Sequence, residues 1–155
     1  MHIRLITVSD RQPAWVERAF ADYARRLPRQ WGFRHENLPT AKRSGDAAAR
    51  AVAAEGERIM RMLKPGERVV LLDEAGQGLA SAEFAARLAA WQARGDDLAF
   101  VIGGPDGVGD AVRARAGFRW SLSALTLPHG LARVVVAEQL YRAWSLAAGH
   151  PYHRG

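Results

Sequence analysis

Apolar positions in this chain form two kinds of run, and their alternation predicts the fold. Residues 3–8 (Ile-Arg-Leu-Ile-Thr-Val) alternate enough, with enough β-branching, to read as a strand. Trp15, Val16, Ala19, Phe20, Tyr23 and Leu27 then recur at helical spacing behind Pro13, which a first helical turn tolerates, and Pro28 ends that helix. A weaker strand covers 33–38, and a polar loop runs from Pro39 to Gly45. Asp46 is placed to cap an alanine-rich helix running to about Leu63, which Pro65-Gly66 terminates. Val69–Leu72 and Leu98–Ile102 are short and wholly apolar, the pattern of strands buried on both faces. Between them, Ser81 is placed to cap a helix through Phe84, Leu88 and Trp91 that Gly95 stops. A short helix over 108–116, a strand over 118–123 and a helix over 131–148 complete the order.

Strands alternating with helices predict an α/β fold with a mostly parallel central sheet and helices on both faces. No repeat, linker or low-complexity stretch interrupts residues 1–155, so one domain is expected. In such sheets ligands sit beyond the carboxyl ends of the strands. The turns after Leu72, Ile102 and Ser123 all fall there, so three loops are expected to converge.

Composition narrows the chemistry. The 155 residues, 48% hydrophobic, suffice for a real core. With no cysteine, disulfides and thiolate metal sites are excluded. Residues 1–8 turn polar too quickly for a signal peptide, and no stretch has the roughly 20 apolar residues of a spanning helix, so a soluble, cytoplasmic protein is expected. The net charge of +6 lies wholly in residues 1–68, with 14 Lys/Arg against 8 Asp/Glu. That excess suits a polyanionic partner, although an Arg-rich coding bias would give the same count.

Few motifs carry chemistry. Gly76-Gln77-Gly78-Leu79-Ala80-Ser81 superficially fits a dinucleotide turn, but it follows the third strand at a distance, so no such cofactor is expected. No Walker-type phosphate loop is present. The five histidines show no zinc-helix spacing, and no metal is expected. Gly103-Gly104-Pro105-Asp106-Gly107 alone is compatible with a plain tight turn. It gains force from the Ser123–Pro128 loop, whose Ser and Thr hydroxyls among leucines suit an adenine ring with a few polar anchors. Glu138 lies four residues before Arg142 on a helix apolar on nearly every side. The pair fits either a site or interface, or structural pairing. So greasy a helix suggests a second chain covering it.

Four stretches together resemble a known family: Ile102-Gly103-Gly104-Pro105-Asp106-Gly107, Ser121–His129, Val134–Trp144, and His150-Pro151-Tyr152-His153-Arg154. They are similar to the RlmH-type ribosomal RNA methyltransferases of the SPOUT class, and the resemblance extends over the whole chain. It implies an α/β domain with a deep carboxyl-terminal trefoil knot, a homodimer, and S-adenosyl-L-methionine as methyl donor. By position, the donor pocket would comprise Leu72, Gly103, Gly104, Ser123, Ala124, Leu125, Thr126, Leu127 and Pro128. The implied reaction is methylation at N3 of a pseudouridine in 23S ribosomal RNA, on the assembled ribosome. That nitrogen bears a proton, which Glu138, His129 or His153 is expected to take or relay. Arg142 and Arg154 are expected to hold RNA phosphate or a base oxygen, and Tyr152 to stack on a base. The competing readings are a knotted methyltransferase acting on another RNA, such as tRNA, and a non-catalytic ribosome-binding protein. Departures from the family pattern are Gly130 after His129 and the loose Gly76–Gly78 turn.

Overall fold

The computed structural model describes residues 1–43 and 48–154. Asp46, the expected helix cap, lies outside them. Five strands, β1 (Ile3–Val8), β2 (Arg34–Leu38), β3 (Arg68–Gly78), β4 (Leu98–Ile102) and β5 (Phe118–Ser121), form one sheet in the order β2-β1-β4-β3-β5. Every neighbouring pair is parallel. The helices are α1 (Ala14–Ala24), α2 (Ala48–Met62), α3 (Ser81–Ala93), α4 (Asp110–Arg115) and α5 (His129–Ala148). Short 3₁₀ turns cover Arg29–Trp31 and Pro151–Arg154.

Strand alternation divides the core in two. Ile3, Leu5, Val70, Leu98, Phe100 and Ile102 meet Phe20 of α1, Phe84, Leu88 and Trp91 of α3, and Val136 and Leu140 of α5. Ile6, Val8, Val69, Leu71, Ala99 and Val101 face the other way, onto Ile59 of α2 and Val112 of α4. The expected helices on both faces, and strands buried on both faces, are therefore present.

Strand β1 is more deeply placed than its alternation implied, because β2 and β4 flank it. Its polar residues are buried with partners. Arg4 donates to Glu67 at 3.0 and 2.6 Å and to Glu36 at 3.1 Å. Thr7 donates to Asn37 Oδ1 at 2.7 Å and so must accept from His35 Nε2, at 2.8 Å.

Three expectations are corrected. Gly76-Gln77-Gly78 is not a turn between strand and helix. It belongs to β3, which leaves the ladder after Leu72 and rejoins it at Gln77, both residues facing Trp120 of β5. The excursion is closed by Asp73 Oδ1, which accepts the Ala75 N–H at 2.9 Å. Ser81 does not cap α3. The cap is Ala80, whose free N–H is taken by the Glu83 carboxylate at 2.8 Å, so an acid three residues on satisfies the helix end. Helix α5 begins at His129, one residue after extended Pro128, rather than at Leu131.

The apolar girth of α5 is met first within the chain. It packs on the sheet with α1 on one side and α3 on the other. What remains towards solvent includes Leu131 and Leu146, 36% and 38% exposed.

Candidate functional site

Strand order decides where the loops go. In the sequence β4-β3-β5 three neighbours point the same way, so the segments leaving their carboxyl ends lie side by side. They line a cleft of about 520 Å³, walled by Leu72, Asp73 and Glu74 after the first part of β3, by Gly103, Gly104, Pro105, Gly107 and Val108 after β4, and by Thr126–Pro128 before α5 and His129 at its start. A smaller adjoining hollow of about 120 Å³ shares Leu72, Asp73, Glu74 and Leu127, and adds Trp120, Ser121, Leu122, Ser123 and Leu125. Of the nine residues named for the donor pocket, only Ala124 lines neither space. Asp73, Glu74, Val108 and Arg113 line the cleft and were not named from sequence, while Pro105 and Gly107 were named only as part of the glycine turn. The signal for the first two was their position at the end of a buried strand.

The loops owe their shape to local chemistry. Ser123 Oγ accepts the Leu125 N–H at 2.9 Å, and Ser121 Oγ donates to the Ser123 carbonyl at 3.1 Å, which folds 121–125 tightly. Leu125 is left 74% exposed. In the glycine turn, Gly107 N–H donates to the Gly104 carbonyl at 3.0 Å, with Gly107 at φ +81°, where a side chain would be strained.

His129 joins this turn to α5. Its Nε2 faces Arg133 Nη2 at 3.5 Å, and its ring lines the cleft beside Gly103. Burial, then the Arg133 charge, lowers its pKa to about 4, so the ring is neutral at pH 7. Arg133 is itself buried, donating from Nη2 to Ser9 Oγ at 2.9 Å and from Nη1 to Glu17 Oε1 at 3.2 Å. Burial, followed by the Arg133 and His129 charges, also lowers His35 to about 4.

A second cluster occupies the far part of α5 and the tail. Glu138 Oε1 accepts Arg142 Nε at 2.8 Å and Nη2 at 2.7 Å, while Oε2 accepts Gln139 Nε2 at 3.0 Å. Tyr152 OH lies 3.1 Å from Tyr23 OH and 3.4 Å from Glu138 Oε1, with the Arg142 guanidinium 5.2 Å from its ring centroid. Burial foremost, with Tyr23 and Glu138 adding to it, raises the Tyr152 pKa, so the phenol stays protonated. His153 Nδ1 is buried with no partner among the described residues, and Arg154 is exposed.

Within one chain these two clusters do not meet. Glu138 follows His129 by nine residues on the same helix, about 13 Å at the helical rise. The tail lies against Tyr23 and Tyr141 rather than over the cleft. Among the described residues no group of three or more His, Cys, Asp or Glu is placed to hold a metal, and no helix is long and apolar enough to cross a membrane.

A parallel α/β sheet with a backbone-walled cleft beyond adjacent strand ends is the architecture in which small ligands are generally held at those ends. A family model described as "Predicted SPOUT methyltransferase" matches residues 1–153, and the chain belongs to that family. It is 50% identical to a ribosomal RNA large subunit methyltransferase H of Thioalkalivibrio sulfidiphilus, over 99% of each chain. It is 48% identical to the protein of the same name in Variovorax paradoxus, again over 99% of each. In fold it is similar to the SpoU methyltransferase AviRb of Streptomyces viridochromogenes, with TM-score 0.51 and 14% identity. That likeness covers 96% of this chain and 61% of the other.

Proposed function

We propose that this protein transfers a methyl group from S-adenosyl-L-methionine to N3 of a pseudouridine in 23S ribosomal RNA, in the cytoplasm and on the assembled ribosome. The observation carrying the proposal is the single cleft formed by the segments after β3 and β4 and before α5. Its volume falls within the roughly 300–1,000 Å³ typical of small-molecule sites. Its lining suits a nucleoside with an amino-acid tail: bare glycine backbone, Leu72 and Leu127 for a base, and the carboxylates of Asp73 and Glu74 as acceptors for sugar hydroxyls. The names of relatives at 50% and 48% identity supply the RNA class.

When bound, the donor supplies a methyl already activated on a sulfonium. This chain must orient it: Gly103 and Gly104 by backbone, and Thr126–Pro128 from the facing wall. The target nitrogen must lose its proton as it is attacked, and a positioned acceptor contributes about 10²–10⁴-fold to such a step. His129 stands at the cleft edge with its Nε2 facing Arg133 Nη2 at 3.5 Å, so we assign it to holding the turn. Glu138 and His153 remain the groups to take or relay that proton. Arg142 and Arg154 would meet phosphate or a base oxygen, and Tyr152 a base face.

Because Glu138 and the tail lie away from the cleft in one chain, the reaction chamber is completed by the tail of a second copy. The same dimer would cover Leu131, Leu146 and Leu125. The chain from β5 through 122–128 into α5 is the path along which the family's trefoil knot would be tied.

The test is titration calorimetry with S-adenosylmethionine, then methyl transfer to intact ribosomes and to the naked target hairpin, with mass mapping of the product. Donor binding, transfer confined to ribosomes and a methyl on the pseudouridine base are expected. Methyl on tRNA or on a ribose would overturn the target. Equal rates on the naked hairpin would overturn docking on the assembled ribosome.

A further inference from the structure

The glycine turn after β4 is gripped from its other side by residues with no part in the chemistry above. Glu55 on α2 is 2% exposed, yet it is an acid. Its Oε2 accepts the Ala41 N–H at 2.9 Å and Arg43 Nη1 at 2.8 Å, and its Oε1 accepts Arg43 Nη2 at 3.2 Å. The same guanidinium turns its Nε to Asp106 Oδ2, 2.7 Å away, in the middle of the turn. Nη1 also donates to the Ala41 carbonyl at 3.0 Å. One planar cation thus ties together the loop after β2, helix α2 and the cleft wall, and its donor geometry is one an ammonium cannot reproduce.

We propose that Arg43, bridging Glu55 and Asp106, is a positioning residue that pre-forms the Gly103–Gly107 wall for the methyl donor. The argument is one of contact and cost. A buried carboxylate must be paired, so Glu55 fixes Arg43. Arg43 in turn holds Asp106, which is exposed and has no other side-chain partner among the described residues. Glu55 Oε1 packs directly behind Gly104, so the wall is backed by a charge-paired, buried carboxylate. Without the bridge, donor binding would have to order the turn itself, and affinity would fall by the cost of that ordering.

This inference rests on the donor-cleft reading, and the experiment separates the two. Hydrogen–deuterium exchange at the amides of Gly103, Gly104, Asp106 and Gly107 is measured on the full chain without ligand, alongside calorimetry with S-adenosylmethionine, for the native protein, Arg43→Lys, Arg43→Ala and Asp106→Ala. In Asp106→Ala and Arg43→Ala, exchange at those four amides should quicken and donor affinity fall about tenfold, with kcat at saturating donor within about twofold of native, since only pre-organisation is lost. Arg43→Lys should rescue little, and a double variant should lose no more than the worse single one. Asp106→Ala leaves the buried pair intact, so it reports even if Arg43→Ala fails to fold. Unchanged exchange and affinity in Asp106→Ala would overturn the bridge. A native protein that binds no donor would overturn the cleft reading, while the exchange data still decide the bridge.

Discussion

Glu55 Oε1 stands 2.7 Å from where a side chain on Gly104 would begin. The carboxylate cannot retreat, being buried and held by Arg43 and the Ala41 N–H. Gly104→Ala must therefore push the turn into the cleft. Overpacking of this kind costs about 1–3 kcal/mol. We expect a lower urea midpoint and at least about a tenfold loss of donor affinity by calorimetry. An alanine variant that binds as tightly as native would show that the wall is not rigid.

Gly76 poses the same problem against backbone. A Cβ there would lie 2.7 Å from the carbonyl carbon and oxygen of Arg119 and 2.9 Å from Trp120 N. No rotamer change relieves this, so β3 and β5 must part. Gly76→Ala should lower stability by about 1–3 kcal/mol in urea denaturation. Gly78→Ala, with open space around it, serves as the control and should cost well under half as much.

The neutral histidines make stability pH-dependent in a defined window. His129 and His35 titrate near 4 in the folded chain, against 6.5 for a free ring. Between those values the unfolded chain binds more protons, so stability is full above pH 6.5 and declines as pH falls towards 4. Below 4 both states are protonated and this contribution no longer changes. One ring gives a slope of at most about 1.4 kcal/mol per pH unit. The two rings share the Arg133 field and are not additive. His129→Asn should flatten the denaturation free energy between pH 6.5 and 4.5; an unchanged slope would mean the ring is not held neutral.

Glu138→Gln should separate binding from transfer. On our reading it lies about 13 Å along α5 from the cleft of its own chain, so donor affinity should stay native. Transfer to ribosomes should fall by about 10²-fold or more. If the proposed dimer forms, mixing dissociated Glu138→Gln and Gly104→Ala proteins should restore about a quarter of native activity, because half the dimers would carry one intact composite chamber. No recovery after mixing and re-association would place both functions in one chain.

The sheet was legible because its inner strands are unbroken apolar runs. Leu98–Ile102 admits few environments other than one buried on both faces. The three-loop cleft was legible for the same reason, since strand ends mark it. The second half of β3 was not. Gln77 and Gly78 join β5 through backbone alone, and nothing in their side chains announces a strand. The Ala80 cap was missed because the satisfying group, Glu83, sits inside the helix. Arg43, Glu55 and Asp106 come from three segments whose meeting leaves no periodic trace, and Arg133 reaches Glu17 across 116 positions. Sequence shows faces and ends; pairings across the fold belong to tertiary packing.

Helix α5 carries a cleft residue on its first turn and the tail cluster from its middle onward, so it acts as a spacer between two half-sites. In the proposed dimer the two half-sites come from different molecules, which would make the specific activity a function of the protein's own concentration. Dilution below the dimer dissociation constant should silence catalysis while each separated chain still binds donor.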